Sequence, residues 1–185
     1  MCQFFSALVL RNGDVLHHPM LDSHADLVTY FGLPDATAYH QHFAKVELTP
    51  VDWFDASTWT FRLDEETAPG WWADVAIGVE ATLRATAARM IVMSGTKRLI
   101  VDGCWIIGGT AVIHDVRGGR LLRVGGAAQV HGVRDSAQVH DVWDSAQVHD
   151  VGGAAQVHDV RGAAQVRNVG PNAILDESAK AHVCP

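Results

Sequence analysis

The glutamines at 129, 138, 147, 156 and 165 stand nine residues apart without a gap, each in the frame Ala-Gln-Val-x-x-Val. Aligned on them, Val130, Val139, Val148, Val157 and Val166 form one column, and Val133, Val142, Val151, Val160 and Val169 form another. Alanines 128, 137, 146, 155 and 164 form a third. A nine-residue unit cannot bury its own apolar face, so it gains stability only by stacking on its neighbours, as in a solenoid. The period-two spacing of Ala and Val, the β-branched valines and the Gly pairs at 125–126 and 152–153 all oppose a helical repeat. In a strand, Ala137 and Val139 point inward while Gln138 and His140 point outward, and a turn near Asp141 returns Val142 to the interior.

One nonad is too short to enclose a core. Two make an 18-residue coil, with alternate nonads on two opposed sheets, so a parallel β-solenoid (β-helix) is expected. The calcium-binding pattern G-G-x-G-x-D-x-U-x of nonapeptide solenoids is absent, and no cofactor is expected. Weaker copies extend upstream: "GRLLRVGGA" at 119–127 keeps the frame, "GTAVIHDVRG" at 109–118 keeps it with a one-residue slip, and "KRLIVDGCWIIGG" at 97–109 suits a terminal coil. The solenoid is therefore placed at 97–170, about four coils and on the order of 20 Å tall at strand spacing. Residues 171–185 form a cap or tail, with a short helix expected within 173–182. If that tail leaves the last edge open, a homodimer through stacked solenoid ends follows.

Residues 1–96 read as a separate α+β module. "QFFSALVLRNGDVLHH" is a hairpin around Asn12-Gly13. "DSHADLVTYFGL" is a helix with Ser23 as N-cap and Asp26 as the reciprocal acid of a capping box, ending at Gly32 before Pro34. "FAKVELTP" and "TWTFRLDE" are strands. "EETAPGWWADVAIGVEATLRATAARMIVMSG" supplies the longest helix, with Thr67 as its cap and Trp72, Val75, Val79, Leu83, Ala87 and Met90 along one stripe.

The combination Cys2-Gln3-Phe4-Phe5-Ser6, Asp22-Ser23-His24 and Tyr30-Phe31-Gly32 resembles an N-terminal module of uncharacterised phage and mobile-element proteins, some of which continue into short β-type repeats. The resemblance covers about half the chain and implies a bacterial or phage setting, with no activity attached.

Charge excludes some classes of partner. Residues 1–97 carry 12 acidic against 6 basic side chains, a balance of −6, whereas residues 98–185 carry 9 against 8, a balance of −1. A nearly neutral repeat is neither an acidic imitation of DNA nor a basic groove, so no nucleic-acid partner is expected. No apolar run approaches the roughly 20 residues that span a bilayer, and "FFSALVL" lacks a basic flank and a cleavage site. A cytoplasmic address without membrane association is expected. The cysteines at 2, 104 and 184 are odd in number and far apart, against a disulfide framework or zinc knuckle.

Four groups invite a chemical reading. Cys2, after loss of Met1, would be an N-terminal nucleophile, and with His24 it defines an alternative small cysteine-dependent hydrolase or amidotransferase. Against this, Cys2 leads into "QFFS" and not into a glycine-containing turn, so a strand cysteine is the plainer reading. His17, His24, His40 and His42 form an alternative metal set, without an H-E-x-x-H pattern to fix it. Their plainer reading is solvated or capping histidines. His131, His140, His149 and His158 form outward ladders, alternate members stacking on each sheet. Asp64, Glu65 and Glu66 are candidate acid-base carboxylates whose position before a helix favours a dipole and capping role.

The leading expectation is a non-catalytic binding protein with a protein partner, such as a host or defence-system protein. Its surface would be the solenoid face carrying Gln138, His140, Gln147, His149 and His158, with Trp143 as a contact anchor. A self-assembling structural solenoid is the third reading.

Overall fold

In the computed structural model, residues 5–34 and 42–184 are described. The chain divides into two compact units, Met1–Arg89 and Met90–Pro185.

The first unit is built on an antiparallel sheet of order β2-β1-β3-β4, comprising β1 (Phe5–Leu10), β2 (Val15–Leu16), β3 (Phe43–Thr49) and β4 (Thr60–Leu63). The Asn12-Gly13 turn closes β1 onto β2, with Gly13 at φ +88° and Leu8 opposite Leu16. Strand alternation puts Phe5, Ala7 and Val9 on one face of β1 and Ser6, Leu8 and Leu10 on the other. Helix α1 (His24–Tyr30) begins at the expected cap, the Ser23 side chain accepting from the Asp26 amide. It buries Leu27 against Leu8 and Phe43. The opposite face has its own apolar partners: Trp72 of helix α2 (Trp72–Met90) stacks on Phe61 at 6.3 Å, and Trp59 is buried with an edge toward Phe5. The α2 stripe is as expected, with Val79, Leu83 and Ala87 at most 1% exposed.

Three local expectations are corrected here. Helix α2 starts at Trp72, after Pro69-Gly70, so Thr67 is not its cap and Asp64 to Glu66 do not sit at its N-terminus; the acid in its first turn is Asp74. The helix also ends at Met90, and Ile91–Val92 leave it as a strand of the next unit. Two consecutive β-branched residues next to an edge that needs a partner favour the strand over another half-turn of helix.

The second unit is the parallel β-solenoid. One sheet, I, has the order β15-β13-β11-β9-β7-β5, from β5 (Ile91–Val92) through β7 (Cys104–Ile107), β9 (Arg120–Val124), β11 (Gln138–Val142) and β13 (Gln156–Val157) to β15 (Ile174–Leu175). The other, II, runs from β6 (Thr96–Ile100) through β8 (Val112–Val116), β10 (Gln129–Val133), β12 (Gln147–Val151) and β14 (Gln165–Arg167) to β16 (Val183–Cys184). Alternate nonads stack in register: Gln129 opposes Gln147, Val130 opposes Val148 and Gln138 opposes Gln156. The three sequence columns are the core, with the Ala128 to Ala164 and Val130 to Val166 columns at most 2% exposed.

Each sheet has six strands, so the solenoid has about six coils where about four were expected. The two additional coils lie at the ends. Toward the N-terminus the coil shortens from 18 residues between Gln129 and Gln147 to 17 between Ile113 and Val130 and 15 between Ile91 and Ile106, while at the other end Gln156 and Ile174 keep the interval of 18 and only the phrase is lost. The tail contributes to the last coil as β15, helix α3 (Glu177–Lys180) and β16. Ala179 of α3 is fully buried and belongs to the solenoid core.

The corners follow a rule that the apolar columns do not reveal. Gly126, Asp135, Asp144, Gly153 and Gly162 all have φ between +58° and +73°, and each stands three residues before its glutamine. The left-handed region is open to Gly and tolerated by Asp and Asn, so the corner restricts what the nonad accepts at that place. The strand also runs on past Asp141 to Val142, and the turn comes at Trp143 to Ser145.

Candidate functional site

The solenoid carries its polar columns outward as expected. Gln138, His140, Gln147, His149 and His158 are partly exposed, and their neighbours one coil away repeat the chemistry. On sheet II, His114 lies 5.3 Å from His131, ring centroid to ring centroid, and His131 lies 5.2 Å from His149. The register places Arg98 before this column and Arg167 after it. On sheet I, His140 and His158 are 5.3 Å apart. Burial pushes His149 below the ordinary imidazole value, and the charges of His131 and Arg167 push it the same way, against a smaller opposing pull from Asp150.

The aspartates beside these histidines are engaged elsewhere. Asp141 pairs with Arg123 at 3.1 Å, Asp159 pairs with Arg161 at 3.4 Å, and Asp150 accepts a 2.9 Å hydrogen bond from Asn168. Trp143 is already dressed by cations: the Arg123 and Arg161 guanidinium carbons lie 4.9 and 5.2 Å from its ring centroid. The corner therefore presents arginine together with indole, not a bare aromatic anchor.

The histidines of the first unit separate. His17 stacks on Phe5 at 4.1 Å and donates from Nδ1 to the Ser6 carbonyl at 3.1 Å, while His42 is exposed. Burial, the largest influence, lowers the His17 pKa. His40, and with it the complete four-histidine set, lies outside the described residues, as does Cys2. His24 is 4% exposed, the first residue of α1, and its Nε2 lies 3.0 Å from the Val46 carbonyl.

Around His24 the structure assembles a group that no sequence spacing announces. Its Nδ1 is 3.4 Å from Asp64 Oδ2, just beyond the end of β4. Glu47 of β3, 1% exposed, stands opposite Arg62 of β4 in the sheet register and is joined to its Nη2 at 2.6 Å. Arg62 also reaches Asp64 Oδ1 at 3.2 Å. The hydroxyl of Ser6, which opposes Glu47 on β1, donates to the Asp22 carbonyl and ties down the approach to α1. Among the described residues, one donor atom from each of His24, Glu47 and Asp64 lies within 4.8 Å of the others. Asp64 and Arg62 also line a groove of about 650 Å³ with Lys45, Leu63, Glu65, Glu66 and Thr67. Glu65 is tied to the sheet, accepting from the Lys45 amide at 3.0 Å.

Glu47 was the missed member. Its signal was available: the alternation of "FAKVELT" puts Glu47 with Phe43, on the face that a helix with a buried Leu27 must cover. No protein-family model, curated protein or solved structure matches the chain. Among the described residues, no helix is long and apolar enough to cross a membrane.

Proposed function

We propose that this is a non-catalytic binding protein whose solenoid faces recognise a protein partner. The observation that supports this reading best is the outward column Arg98, His114, His131, His149 and Arg167 on sheet II, with a parallel column Gln129, Gln147 and Gln165 beside it. Stacked strands fix the backbone positions of these residues at intervals of about 4.8 Å, so a partner meets them at a set spacing without having to order the backbone. Histidine and glutamine offer both donors and acceptors, suited to backbone and carboxylate groups on a partner. The resemblance of the N-terminal motifs to phage and mobile-element proteins favours a host or defence-system protein in the bacterial cytoplasm as that partner.

The test is affinity capture from bacterial lysate with the full chain as bait, beside His131→Glu/His149→Glu on sheet II and His140→Glu/His158→Glu on sheet I. The reading expects one protein, captured in stoichiometric amount, to be lost with the variant of the face it uses. Capture of no specific protein, or of one retained equally by both variants, contradicts it.

A further inference from the structure

We infer that His24, Glu47 and Asp64 form a binding site for a single divalent cation of the zinc class, independent of the solenoid surface. The inference starts from a tautomer. A carbonyl oxygen only accepts, so the 3.0 Å contact to Val46 requires the His24 proton to be on Nε2. Nδ1, on the other side of the ring, lies 3.4 Å from Asp64 Oδ2. Holding the far ring nitrogen on a backbone carbonyl is how proteins orient an imidazole toward a metal.

The remaining groups favour the metal. Two carboxylates lie near this ring, the one on Glu47 1% exposed and held by Arg62, and one donor atom from each of the three residues lies within 4.8 Å of the others. One nitrogen and two carboxylate oxygens suit a borderline cation such as Zn²⁺ better than a soft ion that seeks thiolate or a hard ion that seeks an all-oxygen shell. Arg62 holds Asp64 by Oδ1 and leaves Oδ2 toward His24, so the guanidinium orients this carboxylate without using the oxygen that faces the ring. Asp64 also lines the groove, with Lys45, Arg62, Glu66 and Thr67, so this one carboxylate of the site meets solvent there.

The experiment is titration of the full-length, metal-stripped protein with Co²⁺, read by visible absorption, followed by displacement with Zn²⁺. The variants are Asp64→Asn, Glu47→Gln and His24→Gln, with His131→Asn/His149→Asn/His140→Asn/His158→Asn as the control for the solenoid ladders. Unfolding midpoints in EDTA identify which variants remain folded, and Asp64→Asn, at the edge of the groove, keeps the test decisive if the buried positions fail. The inference expects one equivalent of Co²⁺ with a ligand-field band, Zn²⁺ displacing it, affinity at least tenfold weaker in Asp64→Asn, and no change in the ladder control. Three outcomes overturn it: no stoichiometric binding, one-equivalent binding unchanged in Asp64→Asn, or binding that disappears with the ladder control.

Discussion

His131 and His149 are 18 residues apart in the chain, and their rings stack with centroids 5.2 Å apart on neighbouring strands of sheet II. That contact exists because two nonads make one coil, and it places two titratable groups where their charges repel. Arg167 follows them in the same column.

The solenoid should therefore weaken in mild acid. His149 has its folded pKa below the unfolded value of 6.5, chiefly through burial. The unfolded chain then takes up the proton first, so stability is full above that value and falls as pH drops through it. Denaturant midpoints for loss of β signal should be level at alkaline pH and decline through the histidine range, and His149→Asn should flatten the decline. A midpoint that rises on acidification contradicts this.

The valine columns should be expensive to trim and the glutamine columns cheap. Val148 is fully buried, and Val148→Ala should cost about 2 kcal/mol from lost burial and the cavity left behind. Gln147→Ala on the same strand, pointing outward, should stay within about 0.5 kcal/mol. Urea unfolding of the two variants measures the contrast.

The corner rule is tested at Gly153, where φ is +65° and an added Cβ would lie 2.8 Å from the Asp135 amide nitrogen. Gly153→Val should cost about 2 kcal/mol or more, since a branched side chain meets both the backbone region and the neighbour. Asp135 has φ +58°, so Asp135→Gly relieves a left-handed residue and should be neutral or stabilising by up to about 1 kcal/mol. Thermal unfolding of the pair reads the sign directly.

In the first unit, Glu47 needs its cross-strand cation. Arg62→Ala should lower the unfolding temperature, because it removes the guanidinium 2.6 Å from a carboxylate that is 1% exposed. The double variant Glu47→Leu/Arg62→Ala should recover part of the loss, because the desolvated charge goes with its partner. A double variant no more stable than Arg62→Ala alone overturns this account of the pair.

The central coils were legible because Val130 and Val148 come from two copies of one phrase, and copying leaves a column that alignment exposes. The end coils were not, since Ile91 and Val92 carry no repeat signature and border a helix whose pattern absorbs them. The corner residues were legible in principle: Gly126, Asp135, Asp144, Gly153 and Gly162 recur every nine residues, but the Gly/Asp alternation conceals the column until positive φ is recognised as the shared property. In the first unit, strands and the Ser23 cap were readable from local chemistry. The His24, Glu47 and Asp64 group was not, because α1, β3 and the end of β4 bring it together through tertiary packing and no sequence interval encodes it.

The most direct test of the account is the pattern of nuclear Overhauser contacts between backbone protons in the repeat. The fold described here predicts cross-strand contacts at an interval of 18 residues, linking Gln129 with Gln147, Val139 with Val157 and Val148 with Val166. Contacts at an interval of nine, such as Val139 with Val148, or the sequential amide pattern of a helix through 129–166, would contradict it.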